Sequence, residues 1–430
     1  MMRTLLVSLG VWCCLAGTAS AADPRPKFVP PFAKPTDVPV SGRDVVALRA
    51  FDALMTQFVA EHKLPGAQLA IGRNGNVFYS RGFGYADVDA KFPLQPEHRF
   101  RIASISKSIT AVAVVKLAAE GRLRLDERIV DVLGTKFPFT ANPTDLRLRQ
   151  ITIQHLLNHS AGWDRTESFD PMFRSPEICA ELQCPAPAGP VDTMQYMWTR
   201  PLQFDPGTKY VYSNFGYCVL GRIIEAVSGL TYAEYVRLEV MAPIGVDRIV
   251  LGRTLEKDRE SDEVHYYDDS PDRVAVMGPD IGKPVPEAHG AWCLETMDAH
   301  GGWLATAEDM VKFGLAYTAT SRNPIRNDEL VHKMFERPAR PLWHDEKGQP
   351  EPYYYALGWL VKPVAGSPEW FNAWHNGALP GTSTILVHRY DGVCWAVFFN
   401  SRQATDDKRP AQLIDQPLHE VAKGITGWPR

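Results

Sequence analysis

The chain lacks the marks of several large functional classes. It has no basic excess: 46 Lys and Arg face 50 Asp and Glu, a net charge of −4 with the signs interspersed. No positive stripe is therefore available for a phosphate backbone, and nucleic acid is not an expected partner. Beyond the first two dozen residues there is no apolar run long enough to cross a bilayer. There is no CxxC pair to suggest a zinc knuckle. A G-x-S-x-G is also missing, which excludes the nucleophile elbow of an α/β-hydrolase; Gly381-Thr382-Ser383 continues into Thr384 and Ile385. Internal repeats and low-complexity tracts are absent.

What is present is an ordinary folding composition, 45% hydrophobic and 22% charged over 430 residues. That is enough to bury a sizeable core in one large domain with insertions or in two domains. The start reads differently. Arg3, an apolar stretch at 5–15 and Ala19-Ser20-Ala21 form the three parts of a secretory signal peptide, residues 1–21, with cleavage near Ala21. The expected location is periplasmic or secreted, with no stable membrane span after cleavage. No Leu-x-x-Cys lipobox ends at Cys13 or Cys14. Removing those two from the 7 cysteines leaves 5, so at least one is unpaired within the chain. Export permits a disulfide between Cys179 and Cys184, whereas Cys218, in an apolar run, reads as a small buried hydrophobe.

Residues 22–44 form a Pro-rich leader. Val45, Leu48, Phe51, Leu54, Met55, Phe58 and Val59 then recur at helical spacing. Segments 67–72 and 76–80 flank Asn74-Gly75, a strong hairpin signal. Residues 106–119 are apolar on nearly every face, which predicts a buried helix ending at Gly121. The pattern over 152–251 is helical with long loops, and the polar, Pro/Gly-punctuated stretch 254–286 predicts a surface loop. Strands return at 384–388 and 393–399, followed by a helix near 411–423. The expected fold is α/β (α+β): an antiparallel sheet built from N- and C-terminal segments and flanked by helices. A mostly helical lobe, about 120–300, is inserted into a main domain at 45–410, and 411–430 form a C-terminal helix and tail. The crevice between sheet and lobe is the expected site.

Ser104-Ile105-Ser106-Lys107 is an S-x-x-K at the start of the apolar helix. Helical geometry puts both side chains on one face, where a desolvated amine can take the hydroxyl's proton. About one such pattern is expected by chance in a chain this long, so the context carries the weight. A lysine one turn into a buried helix is costly without a polar partner or a task, and the helix N-terminus turns N–H groups toward a developing anion. Tyr212-Ser213-Asn214 follows the turn Asp205-Pro206-Gly207 and precedes a helix. A phenol beside a lysine can be driven toward phenolate and act as a base, and Asn214 can hydrogen-bond a substrate carbonyl. Equally, Tyr210 and Tyr212 read as strand aromatics, with Ser213 or Asn214 as an N-cap. His375-Asn376-Gly377 precedes Ala378 and the strand at 384–388. Gly377 permits close approach to the backbone, and the Ala378 N–H can complete an oxyanion hole with that of Ser104; His375 alone reads equally as a structural donor.

Taken in this order, the three motifs resemble those of the serine β-lactamase and penicillin-binding-protein superfamily, in particular its class C β-lactamase, DD-peptidase and family VIII carboxylesterase group. Residues 152–159, 217–229, 301–306 with Asp309, and Leu357-Gly358-Trp359 are similar to that family's connecting text, so the resemblance spans about 45–400. It implies a β-lactamase/transpeptidase-like fold with 45–410 as a serine hydrolase domain. Ser104 would be the acylated nucleophile, with Lys107 and Tyr212 sharing proton transfer and Asn214, His375, Gly377 and Ala378 binding substrate. No metal and no organic cofactor are implied. His375 stands where penicillin-hydrolysing members carry the lysine of a Lys-Thr-Gly motif, which grips the antibiotic's carboxylate. This departure moves the expectation from β-lactamase or penicillin-binding DD-peptidase toward an exported esterase or peptidase-like hydrolase. Its partner would be a small-molecule or short-peptide substrate: an ester, an amide or a D-amino-acid peptide.

Two other readings compete. His155 and His159, at i and i+4, have the spacing of a zinc-binding helix, but Leu156 occupies the zincin glutamate's place and no third ligand is evident. A non-catalytic cell-envelope binding module would keep the fold without the chemistry; intact Ser104, Lys107 and Tyr212 argue against it.

Overall fold

In the computed structural model, which describes residues 31–134, 143–318, 323–404 and 408–429, Asn74-Gly75 turns the chain between β1 (Gly66–Arg73) and β2 (Asn76–Asp87). Both residues take positive φ, 53° and 85°, as a tight hairpin turn requires. The expected signal peptide lies outside the described residues. On its other edge β1 pairs with the last strand, β13 (Val393–Phe399), so the two ends of the chain share one sheet. Between them come β3 (Phe92–Pro93), β4 (Phe100–Arg101), β5 (Val250–Leu251), β6 (Arg273–Val274), β7 (Pro284–Val285), β8 (Trp303–Ala305), β9 (Tyr354–Tyr355), β10 (Leu360–Val364), β11 (Ser367–Leu379) and β12 (Thr382–His388). The main sheet runs β3-β2-β1-β13-β12-β11-β10-β9, every neighbouring pair antiparallel, and β4-β8-β5 form a smaller sheet.

Alternation along the strands gives the sheet two apolar faces. Leu69, Ile71, Trp395, Val397 and Phe399 point to the layer containing α1 (Arg49–Glu61) and the C-terminal helix Pro410–Gly424. Ala70, Cys394, Ala396 and Phe398 point to the opposite layer, with α2 (Ser106–Ala119) and helix Ala307–Thr318. A sheet with both faces covered explains why β1 and β13 carry apolar residues at nearly every position. In α2, 11 of the 14 residues are buried, as its all-round apolar pattern predicts. Helices Ile129–Leu133, Ile153–Leu157, Ser175–Leu182, Pro190–Trp198 and Asn214–Ser228, joined by long connections, fill the middle of the chain.

The stretch 254–286 differs from the surface loop expected of it. It carries the short β6–β7 ladder and buries Val264 and Tyr266. The burial around Tyr266 is tied to Arg101, a fully buried cation that has to find acceptors. Its guanidinium donates to Ala288 O (2.7 Å) and Arg253 O (2.9 Å), lies 3.4 Å from the Glu263 carboxylate and covers the Tyr266 ring at 4.4 Å. Cys179 and Cys184 are free thiols with sulfurs 3.4 Å apart, and Cys218 is buried in helix Asn214–Ser228. No described helix is long and apolar enough to cross a membrane.

Candidate active site

Ser104 sits in a single 3-10 turn, Ala103–Ile105, between β4 and α2. The turn is pinned from two sides. Ile102 N–H donates to Trp303 O (3.0 Å) in the small sheet. From the main sheet, Thr384 Oγ1 donates to Ile102 O (3.0 Å) and Thr382 Oγ1 to Arg101 O (3.2 Å). Held in this way, Ala103 keeps a left-handed φ of 49°, a conformation that costs a non-glycine residue on the order of 1 kcal/mol. Ser104 is partly exposed while Ala103 and residues 105–109 are buried, so its hydroxyl is the polar atom this segment offers to solvent.

One turn on, Lys107 is fully buried, and among the described residues it has no carboxylate partner. Its Nζ donates to His300 O (2.8 Å) and lies 3.0 Å from Ser104 Oγ. Burial holds the ammonium well below the usual lysine range; the more distant Asp170 opposes this and Arg165 adds to it. Tyr212 arrives on the extended segment before helix Asn214–Ser228, its ring centroid 4.8 Å from Lys107 Nζ and its hydroxyl hydrogen-bonded with Ser104. Although Tyr212 keeps some exposure, desolvation raises its phenol well above the ordinary value, against the pull of the Ser104 hydrogen bond. Burial thus favours the uncharged form of each group, the free amine of Lys107 and the intact phenol of Tyr212, which runs opposite to a phenolate.

The N-cap reading also holds, one residue away from Tyr212, because Ser213 Oγ accepts from Gly216 N–H (3.1 Å). Asn214 Nδ2 donates to Asp170 Oδ2 (2.6 Å), leaving its second N–H and its carbonyl for other partners. Arg165 approaches Asp170 to 4.0 Å and covers the outer face of this group, 5.0 Å from the Tyr212 ring centre.

His375-Asn376-Gly377 lies within β11, not ahead of a strand as the sequence suggests. The strand brings Gly377 against the turn that carries Ser104. A Cβ there would fall 2.3 Å from Ile102 O and 2.2 Å from Thr384 Oγ1, so only glycine fits. Ala378, next along, pairs in register with Ser383 of β12 and is partly exposed. His375 is buried. Its Nδ1 faces Asn376 O (2.8 Å), which can only accept, so Nδ1 carries the proton and Nε2 accepts from Tyr355 O–H (3.0 Å). Burial pushes this imidazole down to about 3, and it is neutral at neutral pH.

Sequence reading missed His300, Asp170, Arg165 and Tyr355. His300 contributes a main-chain carbonyl, which has no side-chain signature. Asp170 had a local signal, an Asp N-cap followed by Pro171. His155 and His159 do not share a helical face: helix Ile153–Leu157 ends before His159, whose φ is 59°, and His155 Nδ1 accepts from Thr152 N–H (3.2 Å). Among the described residues, no three His, Cys, Asp or Glu side chains come together as a metal-ligand set.

Comparison with known proteins places this geometry in context. The family model described as Beta-lactamase matches residues 51–418. Penicillin-binding protein 4* of Bacillus subtilis (strain 168) is 25% identical over 358 residues, covering 82% of this chain and 71% of that protein. Esterase EstB of Burkholderia gladioli is 31% identical over 262 residues, 58% of this chain and 62% of the esterase. The chain therefore matches less than two thirds of the esterase's length. The octameric penicillin-binding protein homologue from Pyrococcus abyssi superposes with a TM-score of 0.64 at 25% identity, over 89% of this chain and 78% of that one. D-amino acid amidase from Ochrobactrum anthropi SV3 gives a TM-score of 0.65 at 22% identity over 88% and 98%, a likeness of fold.

Proposed function

The chain belongs to the Beta-lactamase family and is a serine hydrolase, and from that premise we propose that it hydrolyses a small ester through an acyl-Ser104 intermediate, with Lys107 as the base of acylation. The observation that carries the proposal is Lys107 itself, buried without a carboxylate partner and 3.0 Å from Ser104 Oγ. As the unprotonated amine, it takes the Ser104 proton while Oγ attacks the substrate carbonyl. Tyr212, protonated and hydrogen-bonded with Ser104, gives its proton to the leaving oxygen and regains one from the lysine. Water then cleaves the acyl-enzyme with the same groups in reverse. The N–H groups of Ser104 and Ala378 are proposed as the oxyanion hole, and Asn214 as the residue that orients the substrate carbonyl chain.

His375 supports the preference for an ester over a penicillin. It is neutral with both nitrogens engaged, so it offers no cation to a substrate carboxylate. Esterase EstB is the relative whose activity fits this site. The second reading, a penicillin-binding peptidase acting on a D-amino-acid amide or peptide, draws on the longer match to penicillin-binding protein 4*. Export through cleavage near Ala21 belongs to the same proposal. Turnover separates the readings. The ester reading predicts rapid, continuing hydrolysis of p-nitrophenyl butyrate and little turnover of a penicillin. A stable penicillin adduct with negligible ester turnover would overturn it in favour of the peptidase.

A further inference from the structure

We propose that His159 is a positioning residue, which holds Tyr212 against Ser104 and braces it against the Tyr355–His375 pair. The proposal rests on the reading of Tyr212 as a catalytic group. His159 grips the chain on both sides of that tyrosine: Val211 N–H donates to His159 O (2.9 Å), and Ser213 N–H donates to His159 Nδ1 (3.1 Å). With its two flanking amides tied to one residue, the Tyr212 Cα has little freedom to translate or turn. The side chain is held as well, because the imidazole centroid lies 4.4 Å from the Tyr212 ring and 4.5 Å from the Tyr355 ring, and those two rings meet edge-on at 6.4 Å. Tyr355 in turn donates to His375 Nε2. His159 therefore completes a three-ring cluster with Tyr212 and Tyr355, which joins the segment before helix Asn214–Ser228 to β9, and a displacement of the imidazole is felt at Tyr212.

Packing alone does not call for a histidine here. Because Nδ1 accepts from an amide, the ring proton is on Nε2, which is buried and has no hydrogen-bond partner among the described residues. A phenylalanine would fill the same space without leaving that donor unsatisfied. What the imidazole adds is the acceptor for Ser213 N–H. The ring also has to stay neutral, since an imidazolium would set Nδ1–H against that amide. Burial keeps it so. His159 holds this position through a left-handed φ of 59°, which turns its side chain back over the segment carrying Tyr212.

The test compares His159→Phe, which keeps the ring and removes the acceptor, with His159→Asn, whose Oδ1 can replace Nδ1. Pre-steady-state acylation by p-nitrophenyl butyrate is measured in the wild-type and Tyr212→Phe backgrounds, with circular dichroism to confirm folding. The expected result is an acylation rate at least tenfold lower in His159→Phe with KM changed less than threefold, and recovery to within threefold of wild type in His159→Asn. In the Tyr212→Phe background, His159→Phe is expected to change the rate less than twofold. Wild-type acylation by His159→Phe would overturn the proposal, as would an equal loss in both backgrounds. Failure of the underlying reading appears separately, as a Tyr212→Phe variant that acylates normally.

Discussion

A lysine shut away from water, with no carboxylate bonded to it among the described residues, holds its proton weakly, and the chemistry proposed for Ser104 depends on that weakness. Catalysis uses the unprotonated amine, so acylation rises with pH through the depressed Lys107 pKa and levels off below the ordinary lysine range. His375, held at about 3, contributes no inflection between pH 5 and 8. A pH profile of kcat/KM checks both points; an ascending limb at the ordinary lysine value would contradict the first. Lys107→Ala and Tyr212→Phe should each slow acylation by at least about a hundredfold, the scale of lost acid–base catalysis. Lys107→Arg should be as slow as the alanine variant, because a guanidinium keeps its charge but cannot give up its proton at working pH. The S-x-x-K spacing made Ser104 and Lys107 legible, and the order of the motifs made Tyr212 and His375 legible. The His300 carbonyl and the His159 contacts were not, because they exist only once distant segments meet.

Among the elements, the turn that carries Ser104 depends on what surrounds it. Gly377→Ala forces a methyl into Ile102 O and Thr384 Oγ1, so β11 must move away from the turn. Loss of most ester turnover, with the fold retained by circular dichroism, is the expected outcome, and normal kcat would refute this packing account. Arg101→Ala strips Glu263 of its buried partner and releases the acceptors at 253 and 288. A loss of about 3–5 kcal/mol is expected in urea melts, together with faster proteolysis within 254–286. The long elements could be read from sequence because their signal runs over many residues: helical spacing in α1, the Asn74-Gly75 hairpin, and unbroken apolar runs in α2 and β13. Strands of two residues such as β5 and β9 have no period to read. The burial of Glu263 and Tyr266 likewise rests on Arg101, a long-range partner, and not on local pattern.

For the whole molecule, buried imidazoles set the response to acid. His289, His375, His388 and His419 are held, chiefly by desolvation, at about 4, 3, 4 and 4. Their unfolded values are near 6.5, so between those limits the unfolded chain binds more protons. Stability should fall as pH drops from about 6.5 toward 4, by up to about 1.4 kcal/mol per pH unit for each group. Asp415, raised to about 6, acts in the opposite sense and offsets part of this. Urea midpoints at pH 7 and 4.5 check the sign, and equal stability at the two would contradict it. The global fold was legible because the apolar patterns at both ends of the chain predict strands that need a common sheet. The central claim remains that Ser104 is the acylated residue, and intact-mass analysis after incubation with a fluorophosphonate tests it most directly. The account predicts a single adduct on the wild-type chain that maps to the peptide containing Ser104 and is absent from Ser104→Ala; labelling that persists in the alanine variant would contradict it.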